Sequence, residues 1–400
     1  MQHALQASAE DVLTAERAWA RDWLFKAALP LWWEKGADHK AGGWFDKLDQ
    51  AGQPVDLPKR LRVQARQAIA FAEAGRLGWE GPWEDACRHA IDYMLERYRR
   101  SDGLFRCSVT CDGAPADEAA DLYDQAFVLC AFAAGYRELG QPATWRLEAE
   151  ALLCRLHDVL GHPERGFEEG SPRVLPLRSN PHMHMLEALL AWIEAGAGEP
   201  FESDAREIVR LACERLIDPA TGAIGEYYDE HWRFHVDGGH LREPGHQFEW
   251  AYLLYTAEKT LGGDQAYLCG RLHAFGTEHG VRDGRVIFSV VADGAPVDES
   301  SRLWAQTERL RTMLVLAPAM DKPDEAKSIA AAAESVATLR RFLDVPERGL
   351  WLDRIASDGA FVDEPAPASS LYHIVNGMAP LIGRKASPGS ASAGSRWRCA

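Results

Sequence analysis

One phrase recurs six times along the chain, and its spacing limits what the chain can fold into: a Gly, a short apolar or aromatic run, a turn, and a small strand ending in an acid. It is spelled Gly43-Trp-Phe-Asp46 with Gly52-Gln-Pro-Val-Asp56, then Gly103-Leu-Phe-Arg106 with Asp112-Gly-Ala-Pro-Ala-Asp117. It returns at Gly166-Phe-Glu168, at Gly222-Ala-Ile-Gly-Glu226, at Gly284-Arg-Val-Ile-Phe288 with Asp293-Gly-Ala-Pro-Val-Asp298, and at Gly349-Leu-Trp-Leu352 with Asp358-Gly-Ala-Phe-Val-Asp363. A period of roughly 60 residues leaves room for two helices and a hairpin.

Between the phrases, apolar residues recur at helical spacing over 8–29, 59–76, 83–98, 118–139, 142–159, 181–194, 201–216, 245–261, 264–278, 300–316, 323–342 and 369–380. A short connection follows each even-numbered pattern and a long hairpin precedes it, as a closing ring of antiparallel helix pairs requires. The expected fold is all-α, a single (α/α)6 barrel over residues 1–384 with short β-hairpins at one face. Six units suffice to close a toroid, and neither end carries a polar capping repeat of the kind an open solenoid needs. Residues 385–400, rich in Ser, Ala and Gly without periodicity, read as a disordered or non-native tail.

The chain of 400 residues is 46% hydrophobic, enough for a large core. Its net charge of -16 offers no basic face for a phosphate backbone, so nucleic acid is not an expected partner. No apolar run approaches the roughly 18 residues of a membrane span, and no leader pattern opens the sequence, so a cytoplasmic location away from membranes is expected. Most of the 8 Cys residues fall within helical patterns as small apolar residues, without zinc-type spacing. The 14 Trp residues include faces suited to sugar C–H surfaces, although most are core material.

The unusual polar residues gather where the even-numbered helices begin, which in a closed barrel is one side. They are Arg62 and Arg66; Asp121, Tyr123 and Asp124; His184 and Glu187; His246 and Glu249; Trp304 and Glu308; and His373. Asn180 is placed to cap the sixth helix and Pro181 to open it. His246, in the first turn of the eighth, is expected to stay neutral beside the helix dipole, with Glu249 fixing its tautomer. Two imidazole bases, His246 and His373, with the fixed cation Arg66, form a set for abstracting a proton beside a carbonyl. The base must sit close to the C–H while a cation holds the enediolate oxygen. No H-E-x-x-H, phosphate loop or nucleophile elbow is present, and no metal or cofactor is expected.

The strings Val63-Gln-Ala-Arg66, Asp121-Leu-Tyr-Asp-Gln-Ala-Phe127, Asn180-Pro-His-Met-His184, Pro244-Gly-His-Gln-Phe-Glu-Trp250, Arg302-Leu-Trp-Ala-Gln-Thr-Glu308 and Leu371-Tyr-His373 resemble, in order, the N-acylglucosamine 2-epimerase superfamily. The resemblance covers nearly the whole chain. It implies a cofactor-free (α/α)6 barrel acting on a monosaccharide, with His246 and His373 as acid/base pair and Arg66 at the reacting carbonyl. It implies that His184, Glu249, Tyr123, Asp124, Glu187, Trp304 and Glu308 bind substrate. The spelling around His184, His246 and Glu308 is most like the mannose-isomerising members, so interconversion of D-mannose and D-fructose through a cis-enediol is expected, with 2-epimerisation at the same site as the alternative. A homodimer is compatible with the sequence. The other readings are a glycoside hydrolase using Asp121, Asp124 or Glu308, and a non-catalytic carbohydrate-binding barrel.

Overall fold

Two kinds of helix alternate along the chain, and their burial tells them apart. Helix α2 (Leu61–Arg76) is buried on every side from Val63 to Ala74, and α4 (Leu122–Glu138) is buried almost throughout, whereas α3 (Trp83–Arg97) and α7 (Phe201–Leu211) bury a single face. The first kind lies inside and the second outside. In the computed structural model, which describes residues 9–316 and 325–383, the inner set is completed by α6 (Ser179–Glu194), α8 (Pro244–Leu261), α10 (Leu303–Leu316) and α12 (Ser370–Ile382). The outer set is completed by α1 (Ala9–Trp23), α5 (Ala143–Leu160), α9 (Ala266–Gly280) and α11 (Glu325–Leu343).

Each inner helix packs on the next, and α12 packs on α2, which closes the ring. Each outer helix from α3 to α11 packs on the inner helix preceding it, while α1 covers α12 and α11. The architecture is the expected (α/α)6 barrel. Closure is reinforced where Trp32 stacks on Trp351 with centroids 4.8 Å apart, both fully buried, joining the first and last units. The helical course of α1 runs on through wider turns to Gly36, beyond the expected end at Leu29. Those turns flank Pro30, whose missing N–H and clash with a preceding carbonyl a regular helix would not absorb. The tail over 385–400 lies outside the described residues.

The long connections meet at the face where the inner helices begin. Their strands pair chiefly with the neighbouring unit: Lys59–Arg60 with Ser108–Val109, Leu177–Arg178 with Tyr227–Tyr228, Leu241–Arg242 with Val290–Val291, Ser301–Arg302 with Arg354–Ile355, and Ala366–Pro367 with Lys47–Leu48. Only a backbone bond from Leu122 N–H to the Glu169 carbonyl (3.1 Å) joins the second loop to the third. The result is a closed belt. Hairpins within a unit occur at the two Asp-Gly-Ala-Pro turns, where Gly113 and Gly294 adopt φ near 89°, and at Asp283-Gly284, where Val281–Arg282 pairs with Arg285–Val286.

A repeated strut fixes each loop to its helix. The amide of Gln64 bonds both backbone groups of Trp44, Gln125 those of Phe105, Gln247 those of Ile224, and Gln306 those of Val286. In the third unit the residue is His182, whose Nε2 accepts from Phe167 N–H. In the sixth, Leu371 takes the place.

Candidate active site

Two residues beyond each strut, the inner helices present Arg66, Phe127, His184, Glu249, Glu308 and His373. These six side chains form one layer across the barrel. The Arg66 guanidinium lies 4.3 Å over the Phe127 ring, Phe127 and His184 have centroids 4.4 Å apart, and His184 Nδ1 is 3.9 Å from Glu249 Oε1. Ligand atoms of Glu249, Glu308 and His373 fall within 4.8 Å of one another.

Above this layer is a cavity of about 220 Å³ lined by Arg66, Tyr123, His184, His246, Glu249, Trp304 and His373. Seven of the ten residues expected in the site are therefore brought together. Asn180, Glu243, Phe288 and Arg302 complete the wall. The other three expected residues stand elsewhere. Asp124 is fully buried and pairs with Arg62 at 2.8 Å. Glu308 stands behind His373, and Glu187 faces a separate cavity at the opposite end of the barrel while holding His184. None of the three carboxylates expected for a hydrolase, Asp121, Asp124 and Glu308, lines the upper cavity.

Three histidines face this space with a common design, each holding its Nδ1 against a carboxylate. His184 Nδ1 is 3.1 Å from Glu187 Oε2, His246 Nδ1 is 2.7 Å from Glu226 Oε2, and His373 Nδ1 is 2.8 Å from Glu308 Oε1. With Nδ1–H donating to the carboxylate, Nε2 is the ring atom left for a ligand. The phenol of Tyr372 donates to Glu187, tying the first pair to α12. Arg66 donates to Tyr123 Oη at 2.5 Å, and its guanidinium also lies 5.2 Å over Tyr372, so the cation is held between aromatic faces. Trp304 lies between two of the imidazoles, with centroids 5.1 Å from His246 and 5.8 Å from His373. Gly245 permits that approach, since a Cβ there would come within 2.5 Å of Trp304 Cη2.

The charges divide the histidines into two kinds. Burial opposes a charge on His246, but Glu226 and Glu243 outweigh it and raise its pKa to about 10. His373 is held well below the usual range by burial, with the Arg66 and His184 charges acting in the same direction. His184 is lowered by burial too, with Glu187 opposing. The expectation of a neutral His246 is therefore corrected: a carboxylate at hydrogen-bond distance outweighs a helix dipole of about half a charge. Its orienting carboxylate is Glu226, not Glu249, whose nearest imidazole is His184.

The sequence reading passed over Glu226 as loop punctuation, although a signal was present. Two residues beyond the backbone held by the strut, Asp46 and Glu169 bind Arg60 and Arg178 of the strand leading into an inner helix, and at the matching place in the sixth unit, which has no strut, Asp353 binds Arg302. In the fourth unit the equivalent acid instead bridges Glu243 N–H (2.9 Å) and His246. Asn180, expected as a helix cap, lies inside α6, whose cap position is Arg178, and contributes its side chain to the cavity wall.

Around the cavity, three groupings bring three metal-ligating atoms within 4.8 Å: His184 with Glu187 and Glu249, Glu226 with Glu243 and His246, and Glu249 with Glu308 and His373. A fourth, Cys107 with Asp121 and Asp124, lies away from it, with Asp121 and Asp124 paired to Arg62. Each of the three around the cavity includes an imidazole already joined to a carboxylate through Nδ1, so a cation would have to displace those protons.

Residues 16–377 match the sequence model of the N-acylglucosamine 2-epimerase (GlcNAc 2-epimerase) family. The chain is 40% identical over 367 residues to a protein of Rhizobium meliloti named mannose-6-phosphate isomerase, covering 88% of this chain and 93% of that one. It is 25% identical over 288 residues to a D-mannose isomerase of Marinomonas mediterranea, covering 67% and 72%. A solved D-mannose isomerase superposes with a TM-score of 0.80 at 19% identity, covering 96% and 99% of the two chains, a likeness of fold.

Proposed function

The chain belongs to the N-acylglucosamine 2-epimerase family and is a sugar isomerase or epimerase of the mannose-isomerase type, and from that premise we propose that it interconverts D-mannose and D-fructose through a cis-enediol. The observation that carries this reading is the opposed protonation of two imidazoles on one cavity: His246 as imidazolium, His373 as free base. Separated pKa values are what assign acid and base roles.

With mannose in the open-chain form, Nε2 of His373 takes the C2 proton. The negative charge arising on O1 falls to Arg66 and the His246 imidazolium, which supply the positive charge that an enediolate requires. The His246 imidazolium protonates O1 to complete the enediol and takes the proton of the O2 hydroxyl as the C2 carbonyl forms, and return of the first proton from His373 to C1 gives the ketose. Delivery to the opposite face of C2 by His246 gives the 2-epimer. The second outcome stands as an alternative because the two imidazoles approach the cavity from different helices, α8 and α12, on either side of Trp304.

An unphosphorylated sugar suits the charge of the entrance better than a phosphate ester. The arginines near the starts of the inner helices are engaged: Arg60 with Asp46 (2.7 Å), Arg62 with Asp124 (2.8 Å), Arg178 with Glu169 (2.6 Å) and Arg302 with Asp353 (2.9 Å). Arg242 is buried against the carbonyls of Gly239 and Leu241. A phosphate at the entrance would compete with these carboxylates for the arginines they hold.

Incubation of the protein with D-mannose in heavy water, followed by proton NMR, tests the proposal. Fructose carrying deuterium supports it; glucose in its place moves the assignment to 2-epimerisation; turnover of mannose 6-phosphate alone overturns the neutral-sugar reading.

A further inference from the structure

Glu249 and Glu308 stand side by side in the interior: they are 1% and 0% exposed, and both lie within 4.8 Å of a shared imidazole and of each other. Two carboxylates that close in a dry interior do not both ionise. Their surroundings decide which keeps the proton. Glu308 has the cation of Arg311 at 3.6 Å and receives the His373 Nδ1–H bond at 2.8 Å. Glu249 has neither, and Glu187 adds a further negative charge nearby; one oxygen of each carboxyl, Glu249 Oε1 and Glu308 Oε2, lacks a hydrogen-bond partner. The groups facing Glu249 are thus His184 and Glu187 from α6, His246 from its own helix, and Glu308 and Arg311 from α10. Burial, followed by the charges of Glu308 and Glu187, outweighs His246 and Arg311, so Glu249 is held well above the usual carboxyl range. Unlike Glu308, Glu249 also forms part of the cavity wall.

We propose that Glu249 is a resident carboxylic acid that opens the sugar ring, with His184 as the base. The inference rests on the isomerase reading above, because aldoses are presented mainly as cyclic hemiacetals and the C2 proton becomes acidic only once C1 is a carbonyl. In the step, Nε2 of His184 takes the proton from the hydroxyl on C1, the C1–O5 bond breaks as the C1 carbonyl forms, and the Glu249 proton passes to O5. The protein is left with a Glu249 carboxylate and a His184 imidazolium. Closure of the product ring runs the same transfers in reverse, returning a proton from His184 to the sugar and from the ring hydroxyl to Glu249, which resets both groups. The histidine pair His246 and His373 is thereby kept for carbon, and the α6–α8 pair acts on oxygen.

The test reads ring opening itself, as enzyme-catalysed exchange between the α and β anomers of mannose measured by NMR magnetisation transfer. The wild-type protein is expected to accelerate it, and Glu249→Gln to lose about 10²-fold of that acceleration while still binding mannose by calorimetry. An infrared band of a protonated carboxyl, present in the wild type at pH 7 and missing from the variant, is expected alongside. Should the Gln variant fail to fold, Glu249→Asp retains an acid drawn back by one methylene, and the same loss is expected. Undiminished anomer exchange in the variant, no acceleration by the wild type, or loss of mannose binding with the exchange overturns the assignment. The isomerase reading stands or falls separately, on deuterium at C1 or C2.

Discussion

Glu226 and His246 lie twenty positions apart in the chain and 2.7 Å apart in the folded protein, and this contact helps hold His246 as an imidazolium. Replacing Glu226 by Gln keeps the shape and removes the charge. Turnover is expected to fall about 10²-fold at pH 8. The basic limb of the pH profile, set in the wild type by an imidazolium that persists to about 10, should move down towards the ordinary histidine range. A limb that stays in place would show that His246 is not the acid.

His373→Asn removes the free base and leaves a side chain of similar size. Deuterium incorporation from solvent into mannose at C2 is expected to drop by about 10²–10⁴-fold. Substrate binding, measured by calorimetry, should change far less, and exchange that survives would pass the base role to another group.

The strut of the fourth unit couples stability to the site. Gln247→Leu strands the Ile224 N–H and carbonyl in the core and is expected to cost about 2–3 kcal/mol, read as a shift of the urea midpoint. Because Glu226 sits two residues beyond Ile224, activity should fall in the folded fraction as well. A stable but inactive variant, or an active but weakened one, would separate the two effects.

His182 is the one histidine among the struts, and burial holds its pKa down to about 4. Unfolding frees the ring to protonate near its ordinary 6.5. Its contribution to stability is thus complete above 6.5 and is lost as the pH falls towards 4. His182→Gln restores the residue used in four other units and should flatten part of this acid dependence in denaturant titrations. An unchanged slope would assign the effect to the other buried histidines.

How far the sequence discloses all this depends on the range of the interactions involved. The barrel was readable because the hydrophobic period and the recurring Gly-aromatic phrase are local properties, repeated often enough to reinforce one another. Arg66, Tyr123, His184, His246, Glu249, Trp304 and His373 were readable for a related reason: helix phase alone puts them at one end of the inner ring. Glu226 was not, because its place against α8 depends on the register set by the Gln247 strut across a loop. Glu187 fell outside the cavity wall because it stands one turn below His184, where it holds that ring from behind, and Asp124 because it is drawn to Arg62 of the neighbouring inner helix, which the pattern of a single helix does not disclose. The protonation of His246 was misjudged for the same reason, since the dipole of its own helix was visible and the neighbouring carboxylate was not.

The position of α1 on α12 carries a consequence for how the molecule is made. Arg17 Nε reaches the carbonyl of Leu381, 364 positions later, and Arg340 pairs with Glu16. During synthesis the first of these helices emerges with an apolar face whose partners are still untranslated, and it stays uncovered until the last inner helix is released. The intervening units can stack as they appear, each on the one before. Joining the two ends of the ring is then the final event, and the layer beneath the cavity, which takes Arg66 from the second helix and His373 from the twelfth, exists only after it.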